Sequence, residues 1–79
     1  MDEIVIMERS VRSAARCIAD IAVSQEEGFW LSDQVGPLVM EVLTIINSPV
    51  ILTQQQQIVT LQKTRTLLDI ILAKPLQPG

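Results

Sequence analysis

Histidine and tyrosine are absent from this 79-residue chain, and cysteine, phenylalanine and tryptophan occur once each. Each scarcity closes a route. Acid–base and nucleophilic catalysis need a proton-transfer group or nucleophile activated by a neighbour. With no histidine, no tyrosine and a single thiol, the chain is not expected to be an enzyme, and no cofactor is expected. The single cysteine, Cys17, excludes an internal disulfide, and one thiol without histidine argues against a structural zinc site. None of the three glycines follows Asn or Asp, so the usual hairpin turns are missing and an all-α fold is favoured over a β one. Basic residues are also short, with six Lys and Arg against nine Asp and Glu and a net charge of −3. Nucleic-acid binding rests on a basic footprint that releases counterions, so no nucleic-acid partner is expected.

What the chain has in abundance is aliphatic surface. Hydrophobic residues make up 48% of it and the mean hydropathy is +0.35. A domain this small buries only about 60–65% of the surface its unfolded chain exposes, and small scaffolds lean on a disulfide, a metal or association. Association is the remaining means, so a homo-oligomer, in the first instance a dimer, or a complex with a protein partner is expected. The charge is laid out unevenly along the chain. Ten of the fifteen charged residues lie in positions 1–33, and Glu41 stands alone between Gln34 and Gln62.

The opening MDEIVIMERS lacks the basic start and long apolar run of a signal peptide. Export by that route is not expected, and the expected location is cytoplasmic. From Val35 to Leu52 the apolar run approaches the roughly 20 residues of a membrane span, but Gly36, Pro37, Glu41, Asn47 and Pro49 interrupt it. A buried helix is expected there instead of a stable span.

Periodicity predicts one domain over 1–79 with three helices, long, short and long. In the first, about 2–26, Ile4, Met7, Val11, Ala14, Ile18 and Ile21 recur at steps of three and four, with Ala15 and Ala22 widening the stripe. Gly28 supplies a stop. Small residues in the middle, Ala14, Ala15, Ala19 and Ala22, permit close approach of another helix. A second helix, about 37–47, has rival starts at Ser32 or Asp33 and at Gly36-Pro37, of which the last is preferred. Its body is apolar nearly all round, which marks a central helix, and Asn-Ser-Pro at 47–49 ends it. Thr53 with Gln56 forms a capping-box pattern that opens a third helix, about 54–74. Residues 75–79 form a flexible tail. The two long helices are expected to pack antiparallel or nearly so, completing their bundle by oligomerisation.

The candidate core and oligomer interface is Ile45, Ile46, Ile58, Leu61, Leu68, Ile71 and Leu72. Phe29, Trp30 and Leu31 are the candidate partner-binding cluster, because tryptophan buries a large rigid surface at little entropic cost and Phe29 and Trp30 are the only aromatics present. The competing role is a staple over the junction of the first two helices. Arg9, Arg12 and Arg16 share a helical face, flanked by Glu8 and Asp20. That face is expected to be solvated, with an acidic protein surface as its partner if it binds anything. Cys17 is expected to be a small buried or half-buried hydrophobe. Glu41 is expected at the wet edge of the second helix or paired with a basic residue of a neighbouring chain.

These features point to a small non-enzymatic interaction module, an adaptor, chaperone or inhibitor that buries an apolar helical surface against its target. In general plan the chain looks like short acidic helical proteins of bacteria and phages that act as secretion chaperones or antagonists of regulators, though no motif matches one such family. The alternatives are a membrane-associated helical protein and, with less support, a DNA-binding transcriptional regulator.

Overall fold

The computed structural model describes residues 3–25 and 34–73, with side chains from Met7 onward. It is an all-α, three-helix domain: α1 spans Glu3–Val23, α2 Val35–Ile46 and α3 Gln54–Ala73. No strand occurs among the described residues. The expected long–short–long order holds. Gly28, Ser32, Asp33 and the 75–79 tail lie outside the described residues.

α1 ends at Val23, earlier than Gly28 would have stopped it. The carbonyl of Ile21 accepts from both Ser24 Oγ at 2.7 Å and Gln25 Nε2 at 3.0 Å. Two polar side chains thus satisfy one of the carbonyls that a helix end leaves over. α2 begins two residues before Pro37, with Gln34 at its N-cap and no side-chain cap bond. Proline is tolerated within a first turn because the N–H it lacks has no intrahelical partner there. α3 opens as the capping box requires: Gln56 N donates to Thr53 Oγ1 at 3.1 Å, and Thr53 N donates to Gln56 Oε1 at 2.8 Å.

The apolar centre lies mainly between α1 and α2. α1 buries Val11, Ala15, Ala19 and Ala22, and α2 buries Val35, Val39, Val42 and Ile46. Both sets recur at steps of three and four, so each helix turns one stripe toward the other. Ala15 and Ala19 pack with Val42 and Ile46, while Ala22 packs with Val35, Val39 and Leu67 of α3. Early residues of α1 therefore meet late residues of α2, and the two run antiparallel.

The structure corrects the expected orientation of the long helices. Glu8 near the start of α1 bonds Leu52, just ahead of α3, while Ala22 near the end of α1 packs with Leu67 far along α3. α1 and α3 are parallel, because a three-helix chain that reverses direction at each connection returns its third helix to the direction of its first. The buried stripe of α1 is also rotated from the predicted one. Met7, Ala14 and Ile21 are exposed, and the residues one position on, Glu8, Ala15 and Ala22, are buried in their place.

Candidate functional site

The strongest polar constellation joins the first turns of α1 to the connection at 47–53. Arg12 and Glu8, predicted to lie on a solvated face, are turned inward. Arg12 Nε donates to Glu8 Oε1 at 2.8 Å and Nη2 to Glu8 Oε2 at 3.1 Å. The same guanidinium donates from Nη1 to the carbonyls of Ile46 at 2.7 Å and Ser48 at 2.8 Å, and from Nη2 to that of Val50 at 2.7 Å. A cation at the last carbonyl of α2 also meets the negative end of that helix. Glu8 Oε2 completes the clasp by accepting the N–H of Leu52 at 2.8 Å. The carbonyl of buried Leu52 accepts from Gln57 Nε2 at 3.3 Å. The end of α2 and the irregular connection after it are thus hydrogen-bonded at four consecutive even positions, 46, 48, 50 and 52, by three side chains.

Glu8 is buried, yet its pKa is lowered from the ordinary 4.5. The hydrogen bond from Arg12 is the largest cause and that from Leu52 the next, and together they outweigh the desolvation that opposes them. Both groups are consumed by the fold. Of the three arginines proposed as a partner surface, Arg12 is therefore engaged within the chain, and Arg16 donates to Asn47 Oδ1. Arg9 is exposed on α1.

The other sequence candidates fall in three places. Phe29, Trp30 and Leu31 lie outside the described residues. Glu41 lies exposed at the edge of the second helix, one of its two expected places, and pairs there with Lys63 of the same chain at 2.6 Å, where α2 meets α3. Cys17, expected to be at least half-buried, is exposed. Among the described residues no three metal-ligating side chains converge, and no helix is long and apolar enough to cross a membrane.

The core and interface set divides. Ile46 is buried, Ile45, Leu68 and Ile71 are partly covered, and Ile58, Leu61 and Leu72 are exposed, Leu72 by 74%. The residues that α3 buries include Gln57, Thr60 and Thr64. Thr60 Oγ1 returns its proton to the Gln56 carbonyl at 2.7 Å, whereas the buried Thr64 hydroxyl has no partner. α3 thus carries hydroxyls and an amide toward the core and a row of aliphatic side chains toward its outer edge beside α1.

On α1 that edge bears Met7, Ala14 and Ile21, each seven residues from the next, with Ser10 and Cys17 between them, all exposed. A shallow depression of about 360 Å³ between Met7, Ser10, Val11, Ala14 and Leu61 shows that the two rows adjoin. Together they form a two-helix apolar face on the side of α1 away from the Arg12 clasp. A second depression, about 440 Å³ between α2 and α3, is lined by Met40, Glu41, Thr44, Ile45 and Lys63. The α3 half of the first face was legible from spacing. The α1 half was missed because its residues were assigned to the core.

No protein-family model, curated protein or solved structure matches this chain.

Proposed function

We propose that this chain is a non-enzymatic interaction module of the adaptor, chaperone or inhibitor kind, acting by laying the α1/α3 face against an apolar helical surface of a target protein. One observation carries the reading: Met7, Ile21, Ile58, Leu61 and Leu72 are exposed while α3 buries Gln57, Thr60 and Thr64 and, of its four leucines, only Leu67. A helix free to choose would bury more of its leucines and expose its glutamine and threonines, since apolar burial is worth about 25 cal/mol per Å². Withholding them from the chain's own core is the pattern of a docking surface, where apolar anchors at helical spacing fit a groove or a second helix. The exposed single thiol suits a reducing compartment, and we assign the module to the cytoplasm. The split of the arginine face weakens a DNA-binding role, which needs several cations displayed together.

The test is affinity capture with the tagged chain from its native source, run beside L61K/L72K and a control on another face, Gln55→Lys. The reading expects a protein retained by the parent and by Gln55→Lys but lost by L61K/L72K, with thermal unfolding of that variant close to the parent's. Identical protein sets for all three chains would contradict it.

A further inference from the structure

We propose that the free protein covers this face with a second copy of itself, related by a two-fold axis that lays the two α3 helices antiparallel. The proposal rests on the interaction reading above and names one occupant of the same face.

The first support is spacing. Ile58, Leu61, Arg65, Leu68 and Leu72 are separated by three, four, three and four residues. This is the seam along which two helices interlock knobs into holes. Beside it, Ser10, Ala14 and Cys17 present small exposed side chains on α1, so a second copy can approach α1 without collision.

The second support is charge. Arg65 interrupts the aliphatic row, and its pairing with Asp69 within the helix is loose, at 3.5 Å with both side chains mostly exposed. A parallel seam in register would stack Arg65 on Arg65 of the second copy. The antiparallel register that sets Leu61 against Leu72 of the second copy places Arg65 against Leu68 and beside Asp69 of that copy. The two-fold axis repeats the arrangement, so both arginines meet an acid and Leu61 of each copy is covered by Leu72 of the other. The charge pattern is self-complementary in one orientation and repulsive in the other.

Area is the third. Two helices of about 20 residues present a footprint of roughly 30 by 20 Å. That is about 600 Å², at the lower end of the roughly 600–1,000 Å² each partner gives to a standard interface. The product is a layer of four helices, α1 and α3 from each copy, with α2 of each on the outside.

Light scattering on a size-exclusion column, over a dilution series, tests this against the 8.8 kDa of one copy. The expected mass is twice that at high concentration, falling toward one copy on dilution. L61K/L72K is expected to run as a single helical copy at every concentration. Should that variant lose its helicity, Leu72→Gln at the exposed end of α3 replaces it, with at least a tenfold weaker self-association expected. Arg65→Asp is expected to weaken association and R65D/D69R to restore it. A single-copy mass for the parent at all concentrations overturns the proposal, whether another protein or the chain's own residues cover the face. So does a dimer indifferent to L61K/L72K. A single-copy parent whose captured target is still lost by L61K/L72K would overturn the dimer and leave the interaction reading standing, whereas a dimer with no such target would do the reverse.

Discussion

Where α1 meets α2, alanines at 15, 19 and 22 face valines and isoleucine at 35, 39, 42 and 46, and all seven are buried. Where α3 turns inward, the buried residues include Gln57, Thr60 and Thr64, with its leucines largely beside them at the edge. The first seam is dry, closely approached and intolerant of volume. The second is held by local hydrogen bonds and by Leu67, with Ile70 and Ile71 packed partly buried against the same cluster. This contrast shows that α1, α2 and the connection at 47–53 form the anchored part of the molecule. α3 is pinned at its start by the capping box and Gln57, while its most apolar row, Ile58, Leu61, Leu68 and Leu72, stays exposed or partly covered.

Substitutions that separate the two seams should have unequal effects. Ala19→Leu forces a large side chain into a space with no exposure and is expected to cost about 3 kcal/mol in urea unfolding, as overpacking of a tight core does. The equivalent enlargement on α3, Thr64→Leu, should be milder, because it also removes a buried hydroxyl that has no partner. Equal losses would erase the distinction between the seams.

Arg12→Met keeps the stem but removes donors to three carbonyls and to Glu8. Hydrogen bonds from a charged group contribute about 1.5–3 kcal/mol each and are not additive, so a loss of about 2–3 kcal/mol is expected. The same clasp sets an acid dependence. Glu8 has a folded pKa below its ordinary 4.5, so its contribution is complete above that value and disappears as pH falls through the lower, folded one. Unfolding followed by circular dichroism from pH 6 to pH 2 should show a steeper loss for the parent than for Glu8→Gln, which is weaker at pH 6 and flatter below 4.5. Parallel curves would mean that the carboxylate is not held as described.

Thr64→Val should have the smallest effect, with the opposite sign. Its buried hydroxyl has no partner, and replacing an unsatisfied polar group with a methyl is expected to raise stability by about 0.5–1 kcal/mol. A destabilised variant would indicate that the hydroxyl is bonded in solution.

The helices themselves were legible in the sequence because their signals are local: the Thr53/Gln56 box, the Asn-Ser-Pro stop and the three-and-four spacing of apolar residues. The facing of α1 was not. Counting hydrophobic residues favours Met7, Ile18 and Ile21, whereas close packing against α2 favours the smaller Ala15, Ala19 and Ala22. The alanines do signal close approach of another helix, but spacing places Met7, Ala14 and Ile21 on the same inward stripe, and only three-dimensional packing turns them out. Glu8 and Arg12 read as an ordinary i,i+4 surface pair, since nothing local announces that the guanidinium meets carbonyls thirty-four or more residues away. For α3 the spacing of apolar residues favours Ile58, Leu61, Leu68 and Leu72 as the inner stripe. The placement of α1 and α2 overrides it and selects the more polar face of Gln57, Thr60, Thr64 and Leu67.

Amide hydrogen exchange on the parent chain at two concentrations a hundredfold apart addresses the division between an anchored part and an exposed edge most directly. Amides of α2 and the middle of α1 should be protected equally at both, because their burial is internal to one copy. Those of α3 from Leu61 to Leu72 should be less protected in dilute solution and gain protection on concentration. Uniform protection of all three helices at both concentrations would contradict the division, since α3 would then be as firmly held by its own chain as α2.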